Sequence, residues 1–190
     1  MNLRRRIHTT LAALALLAAL PGAALAQDLI RIGAPLALTG GLADEGKKQQ
    51  VAYDMWLQRV NAAGGISVAG KKMKVELITY DYQSDEKRAQ QIAERLITQD
   101  KVDFLTAPFG SGHTKVVAGV AERYGVPVMA SVASSESVFN QGYKFMFGTL
   151  APNGGIVQNM ARLFTKAIPG VKKIAILGRE DVFPKAMRPR

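Results

Sequence analysis

Residues Gly110-Ser111-Gly112-His113-Thr114-Lys115 gather two glycines, two hydroxyls, an imidazole and an amine between an apolar run and a helical stretch. Glycines let a backbone approach a bound group closely, and free amides at a helix start donate hydrogen bonds to an anion. A phosphate-binding P-loop needs Gly, four residues, then Gly-Lys-Ser/Thr. Gly110 and Gly112 do not have that spacing, and Lys115 does not follow a glycine. A dinucleotide fingerprint needs Gly-x-Gly-x-x-Gly after the first strand. Here the third glycine position is Lys115, and the preceding strand is the third. A nucleophilic serine needs a base and an orienting acid in a fixed triangle. Ser111 and His113, two positions apart around a loop, do not face each other that way, and no Gly-x-Ser-x-Gly elbow occurs. Nucleotide binding and hydrolysis both fail on spacing.

What survives is the helix start. Ser111 or Thr114 stands where an N-cap belongs, and the first-turn amides point at the loop with the positive end of the helix dipole behind them. Either these hydroxyls only cap the helix, or Ser111 and the amide of Gly112 also hold one carboxylate. His113 reads as a loop residue that shapes a pocket or faces solvent. A second loop, Ser131-Val132-Ala133-Ser134-Ser135, offers hydroxyls and strand-end carbonyls, the acceptors an ammonium group needs. The plainer reading of its serines is again a helix cap, near Glu136. Acting together, the two loops would grip a zwitterion by both ends.

These loops need a scaffold that brings them together. Residues 29–38 read as a strand leading into the glycine-rich loop 38–46. A helix over 47–63 follows, with Val51, Met55, Trp56 and Val60 as its apolar positions and Gly64-Gly65 as its stop. Residues 73–82 alternate as a strand. Ser84 is the expected cap of a helix running to Thr98, which buries Ala89, Ile92, Ala93, Leu96 and Ile97. Residues 102–107 form a third strand, 114–124 a helix and 126–131 a fourth strand. A fifth strand is expected near 143–148, then a helix over 156–167 and a buried strand in Lys172-Lys173-Ile174-Ala175-Ile176-Leu177-Gly178. Strands alternating with helices imply an α/β fold, a Rossmann-like parallel sheet with right-handed crossovers. Ligands of such sheets bind where the loops gather at the carboxyl ends of the strands.

The first 26 residues are set apart from this fold. Arg4, Arg5 and Arg6 precede ten apolar residues, Leu11 to Leu20, and Ala24-Leu25-Ala26 supplies small residues for cleavage. This is the order of a secretory signal peptide, and the run is too short to span roughly 30 Å of hydrocarbon. The mature chain is expected to begin at Gln27 and to work in the periplasm. There is no cysteine, and only His8 and His113 are present, so zinc and thiolate sites are not expected. The formal net charge is +10, three units of which belong to the signal. The remaining basic residues are scattered without interleaved aromatics, which indicates a solvated surface rather than a nucleic-acid site.

The runs "IRIGAPLALTGGLADEG", "NAAGGISVAGKKMKVELITYDYQSDEKRAQQIAERLI" and "GVPVMASVASS" resemble the exported solute-binding proteins of branched-chain amino acid ABC transporters. That resemblance covers about Ile30 to Leu177. It implies the type I periplasmic-binding-protein fold, two Rossmann-like lobes that close over a small solute and present it to a membrane permease. It implies no cofactor and no catalysis. Carried over, the carboxylate-binding serine falls on Ser111, and the ammonium-binding positions fall on the Val132 carbonyl and the Ser134 hydroxyl. Where the family often has an aromatic residue before the glycine closing the first loop, this chain has Glu45 before Gly46, which leaves a polar, amide or aromatic solute as open as leucine. The resemblance divides the chain into a first lobe, 27–149, and a crossover with the start of a second similar lobe, 150–190. The family needs roughly twice this chain, so a truncated or partial sequence is expected, with weak binding and exposed apolar surface. A sensor on the same lobes is the alternative to a transport component.

Overall fold

The computed structural model describes residues 29–173, 175 and 177–187; the expected signal peptide lies outside them. Six strands form one sheet: β1 (Leu29–Leu36), β2 (Ile66–Val68), β3 (Lys71–Asp81), β4 (Phe104–Thr106), β5 (Val128–Ala130) and β6 (Met146–Gly148). Their order is β2-β3-β1-β4-β5-β6. All neighbours run parallel except β2, which pairs antiparallel with β3 from Ile66↔Met73 to Val68↔Lys71. This edge hairpin is absent from the sequence reading. Its turn, Ala69-Gly70, has φ of 48° and 81°, the left-handed pair that a two-residue hairpin loop requires. The α/β class with a parallel sheet is as expected.

The helices are α1 (Ala43–Ala62), α2 (Glu86–Thr98), α3 (Ser111–Tyr124), α4 (Glu136–Phe139), α5 (Asn153–Ala167) and α6 (Val182–Ala186). α2 and α3 pack together on one face of the sheet through Ala89, Ala93, Leu96, Val117, Ala118 and Ala121, all buried. The alanines allow close approach, and Leu105 and Val128 of the strands complete this core. Gly33 in β1 makes room for it, since a Cβ there would meet Leu105 Cδ2 at 2.8 Å and Leu96 Cδ1 at 3.0 Å.

α1 covers β1 and β3 on the other face. It starts four residues before the expected position, because Gly46 lies against the Ala37 carbonyl, 1.9 Å from where a Cβ would stand. Its inward stripe is Gly46, Gln49, Tyr53, Leu57 and Val60, while Val51, Met55 and Trp56 are exposed. Hydrophobicity therefore pointed to the wrong flank, because the true contact face opens on a glycine and a glutamine. Two further expectations change. The cap of α2 is Asp85, whose side chain accepts from Arg88 N–H, and not Ser84. The expected buried strand at 172–178 is not formed at its described residues, and Leu177 is fully exposed there. A strand needs a neighbour to take its hydrogen bonds, and none lies beside this stretch among the described residues.

Candidate ligand-binding site

Between β3 and β4 the chain passes over β1, so the order of connections reverses beside β1. The loops after β1 and β4 diverge at that point, and such switch points are where open α/β sheets hold ligands. A cavity of about 790 Å³ opens there, within the usual range for small-molecule sites. Gly41, Leu42, Ser84, Glu86, Phe109, Gly110, Gly112, His113, Val132, Ser134 and Leu150 line it. Residues 179–183 and Lys185 close a further side, with Val182 and Phe183 as its apolar part.

Backbone geometry holds these loops in place. Asp81, the last residue of β3, accepts from the N–H groups of Leu38, Thr39 and Gln83 and from Thr39 Oγ1. Burial pushes its carboxyl up, but the four hydrogen bonds together prevail and hold it below the ordinary aspartate value. Ser84, at φ 58°, donates from Oγ to Thr39 O and accepts from Leu42 N–H. His113 joins the third loop to the second: its Nε2 donates to Ser84 O at 3.1 Å, and its ring lies 5.1 Å from that of Tyr82. Tyr82 is fully buried, and that burial, with the charge of Asp81 beside it, pushes its phenol up.

The start of α3 has no side-chain cap, because Gly110 at φ 91° occupies the N-cap position. Neither Ser111 nor Thr114 caps the helix as expected. Thr114 Oγ1 donates back to Pro108 O at 2.9 Å, and Ser111 is the first helical residue. The first turn therefore meets the cavity at Gly112 and His113 with no side-chain cap hydrogen-bonded to its amides. One acid stands close by: Glu86 Oε1 is 2.3 Å from where a Cβ on Gly112 would be.

Of the residues the sequence nominated, Gly112, Val132 and Ser134 meet at the cavity. Ser111 sits behind them, fully buried, and its Oγ accepts from Ser135 N–H at 3.2 Å, tying the α3 loop to the β5 loop. Ser134 is buried as well: its Oγ donates to Asn153 Oδ1 at 2.5 Å, and its carbonyl accepts from Asn153 N–H at 2.8 Å. Glu45 is in the first turn of α1 and pairs with Lys48 at 2.9 Å; it is not among the residues lining the cavity. The sequence reading missed Leu42, Glu86, Phe109, Val182 and Phe183. Glu86 is a first-turn acid of α2, and only the placement of α2 beside α3 turns it toward the site. Among the described residues no group of three His, Asp or Glu is placed to hold a metal.

Comparison with known proteins places the chain in a family. Residues 29–190 match the periplasmic binding protein family. The chain belongs to that family. The family and the relatives it matches are ligand binders rather than enzymes. It is 28% identical over 146 residues to the leucine-, isoleucine-, valine-, threonine- and alanine-binding protein of Pseudomonas aeruginosa, covering 77% of this chain and 38% of that one. It is similar to the crystal structure of the branched-chain amino acid transporter substrate binding protein LivJ from Streptococcus pneumoniae in complex with isoleucine. The TM-score is 0.65 at 26% identity, over 73% of this chain and 38% of that chain. A solute binding protein of an ABC transporter from Rhodopseudomonas palustris shares the fold at TM-score 0.73 and 22% identity, over 84% and 42%. The periplasmic binding protein described here thus spans about two fifths of the length of these relatives. Its sheet corresponds to one lobe of the type I fold. No helix among the described residues is long and apolar enough to cross a membrane.

Proposed function

We propose that this periplasmic binding protein is the solute-capturing part of an ABC importer for an amino acid or a similar small carboxylate, handing its ligand to a membrane permease. The observation that carries this reading is the pairing of two opposite polar ends across one cavity. At one end the uncapped first turn of α3 presents amides and the positive end of the helix dipole, at Gly112 and His113. At the other end are Val132 and Ser134, where a strand-end carbonyl and a hydroxyl oxygen would serve as acceptors. A carboxylate suits the first and an ammonium the second, while Leu42, Phe109 and Phe183 leave apolar room for a side chain. The amino acids named for the Pseudomonas and Streptococcus relatives fit such a site. Export by cleavage after Ala26 places this work in the periplasm.

The test is a nitrogen-15 NMR titration of the chain with L-leucine, L-isoleucine, L-alanine and benzoate, since NMR reads weak affinities directly. Shifts centred on the amides of residues 111–113 and 132–135 are expected with at least one amino acid. If all four solutes leave those amides unmoved, the reading is wrong. An exported protein whose first residue is not Gln27 would overturn the processing step separately.

A further inference from the structure

Asn153 is the first residue of α5, outside every loop that the sequence points to as ligand-binding. It is 1% exposed and makes two hydrogen bonds to one residue of the cavity wall, Ser134. Its N–H takes the Ser134 carbonyl at 2.8 Å, and its Oδ1 takes the proton of Ser134 Oγ at 2.5 Å. Its Nδ2 is buried with no partner among the described residues. The side chain therefore contributes through its oxygen, at the desolvation cost of leaving its buried amide donor unpaired.

A hydroxyl has one proton to donate and two lone pairs to accept with. Once the proton is committed to Asn153, the Ser134 oxygen can only accept from the cavity. Left free to rotate, the same hydroxyl would serve a ligand's donor or its acceptor equally well. We propose that Asn153 is a positioning residue that sets the ligand class: by fixing Ser134 Oγ as an acceptor, it makes the site select solutes with an ammonium over plain carboxylates of the same shape. The proposal rests on the reading that this cavity takes an amino acid. It also gives α5 a role, since the clasp connects the β5 loop to the segment that follows β6.

The test compares L-leucine with 4-methylpentanoate, the same skeleton without the amine, by NMR titration of the full chain. In the unaltered chain leucine is expected to bind more tightly. Asn153→Ala is expected to lower the leucine-to-methylpentanoate affinity ratio about tenfold, the worth of one hydrogen bond to a charged group. Asn153→Asp, an acceptor at both oxygens, is expected to keep the ratio or raise it. Should Asn153→Ala not fold, Asn153→Ser replaces it, because its oxygen stops short of Ser134 Oγ and the same fall in ratio is expected. If the alanine or serine variant weakens both ligands in parallel and leaves the ratio unchanged, Asn153 is only a structural clasp and the proposal is overturned. If the unaltered chain binds methylpentanoate as well as leucine, ammonium selection is refuted while carboxylate binding stands. If it binds neither, the amino acid reading and this inference both fall.

Discussion

Thr39 donates twice to Asp81, from Oγ1 at 2.7 Å and from its N–H at 3.3 Å, and so fixes the β1 loop to the end of β3. The carboxylate also receives the N–H groups of Leu38 and Gln83. Asp81→Asn replaces one acceptor oxygen by an amide donor that faces these donors. We expect it to cost roughly 2 kcal/mol, after allowance for partial exposure. For a chain of this size that lowers the melting temperature by about 4–8 °C, which calorimetry or circular dichroism reads. An unchanged melting temperature would refute the clasp.

The same carboxyl makes an acid prediction. Its folded value is below the unfolded one, so its stabilisation is complete above the unfolded value and is lost as pH falls through the folded value. The window therefore lies below about pH 4. The unaltered chain and Asp81→Asn should converge in stability on acidification through it. A stability gap that stays constant down to pH 2 would count against this linkage.

Two glycines should respond very differently to alanine. A Cβ at Gly46 would lie 1.9 Å from the Ala37 carbonyl oxygen and 2.5 Å from its carbon, and neither backbone atom can yield without moving β1 or α1. Gly46→Ala is expected to cost about 3 kcal/mol or to prevent folding. A Cβ at Gly112 meets closely the carboxylate end of Glu86, an exposed side chain that can swing aside, and touches Val182 Cγ2 at an ordinary 3.5 Å. Gly112→Ala should change stability by no more than about 0.5 kcal/mol. Thermal melts of the two variants side by side decide it.

The parallel order of β1, β3, β4, β5 and β6 was legible because strand-like runs alternate with helical ones, and the positions of α2 and α3 were legible from a clean stripe of alanine, isoleucine and leucine. The α1 contact face was not legible, because it is made by Gly46, Gln49 and Tyr53 while the hydrophobic signal lies on the exposed Val51, Met55 and Trp56. Val132 and Ser134 were nominated by the family resemblance, and Gly112 by the helix start beside Ser111; all three do meet at the cavity. Asn153 was not found, and Ser84 was named only as a helix cap, since both act through long-range hydrogen bonds that no local pattern encodes. The cap at Ser84 was misassigned because its neighbour Asp85 is an equally good cap one residue closer to the helix.

Glu86 competes with the ligand that the α3 terminus is proposed to hold. Its carboxylate sits over Gly112, where the carboxylate of a bound solute would also lie, and like charges at one anion site repel. Glu86→Gln removes that charge while keeping the side chain's length. Affinity for L-leucine should rise about threefold to tenfold, the scale of one partly screened charge pair near a surface. The gain should shrink as salt is added. Gly112→Ala, which displaces the same carboxylate, should move affinity in the same direction unless the new methyl blocks the seat. A Glu86→Gln variant that binds leucine more weakly would show instead that this acid receives the ligand's ammonium.

One face of the sheet is covered by α1 only over β1 and β3. Beyond them Phe104, Met129 and Phe147 are 44%, 44% and 52% exposed, on neighbouring strands whose register pairs Thr106 with Met129 and Met129 with Phe147. The exposed flank of α1, Val51, Met55 and Trp56, lies on the helix that covers the rest of this face. An apolar row of this kind favours self-association and dye binding. Met129→Thr combined with Phe147→Thr places β-branched residues in the strands while making the row polar. We expect the double variant to bind less of a hydrophobic dye and to show less concentration-dependent sedimentation. Its melting temperature should move little, because both side chains are already about half in water. If dye binding persists unchanged while the protein melts markedly lower, these side chains are packed within the fold and the bare face lies elsewhere.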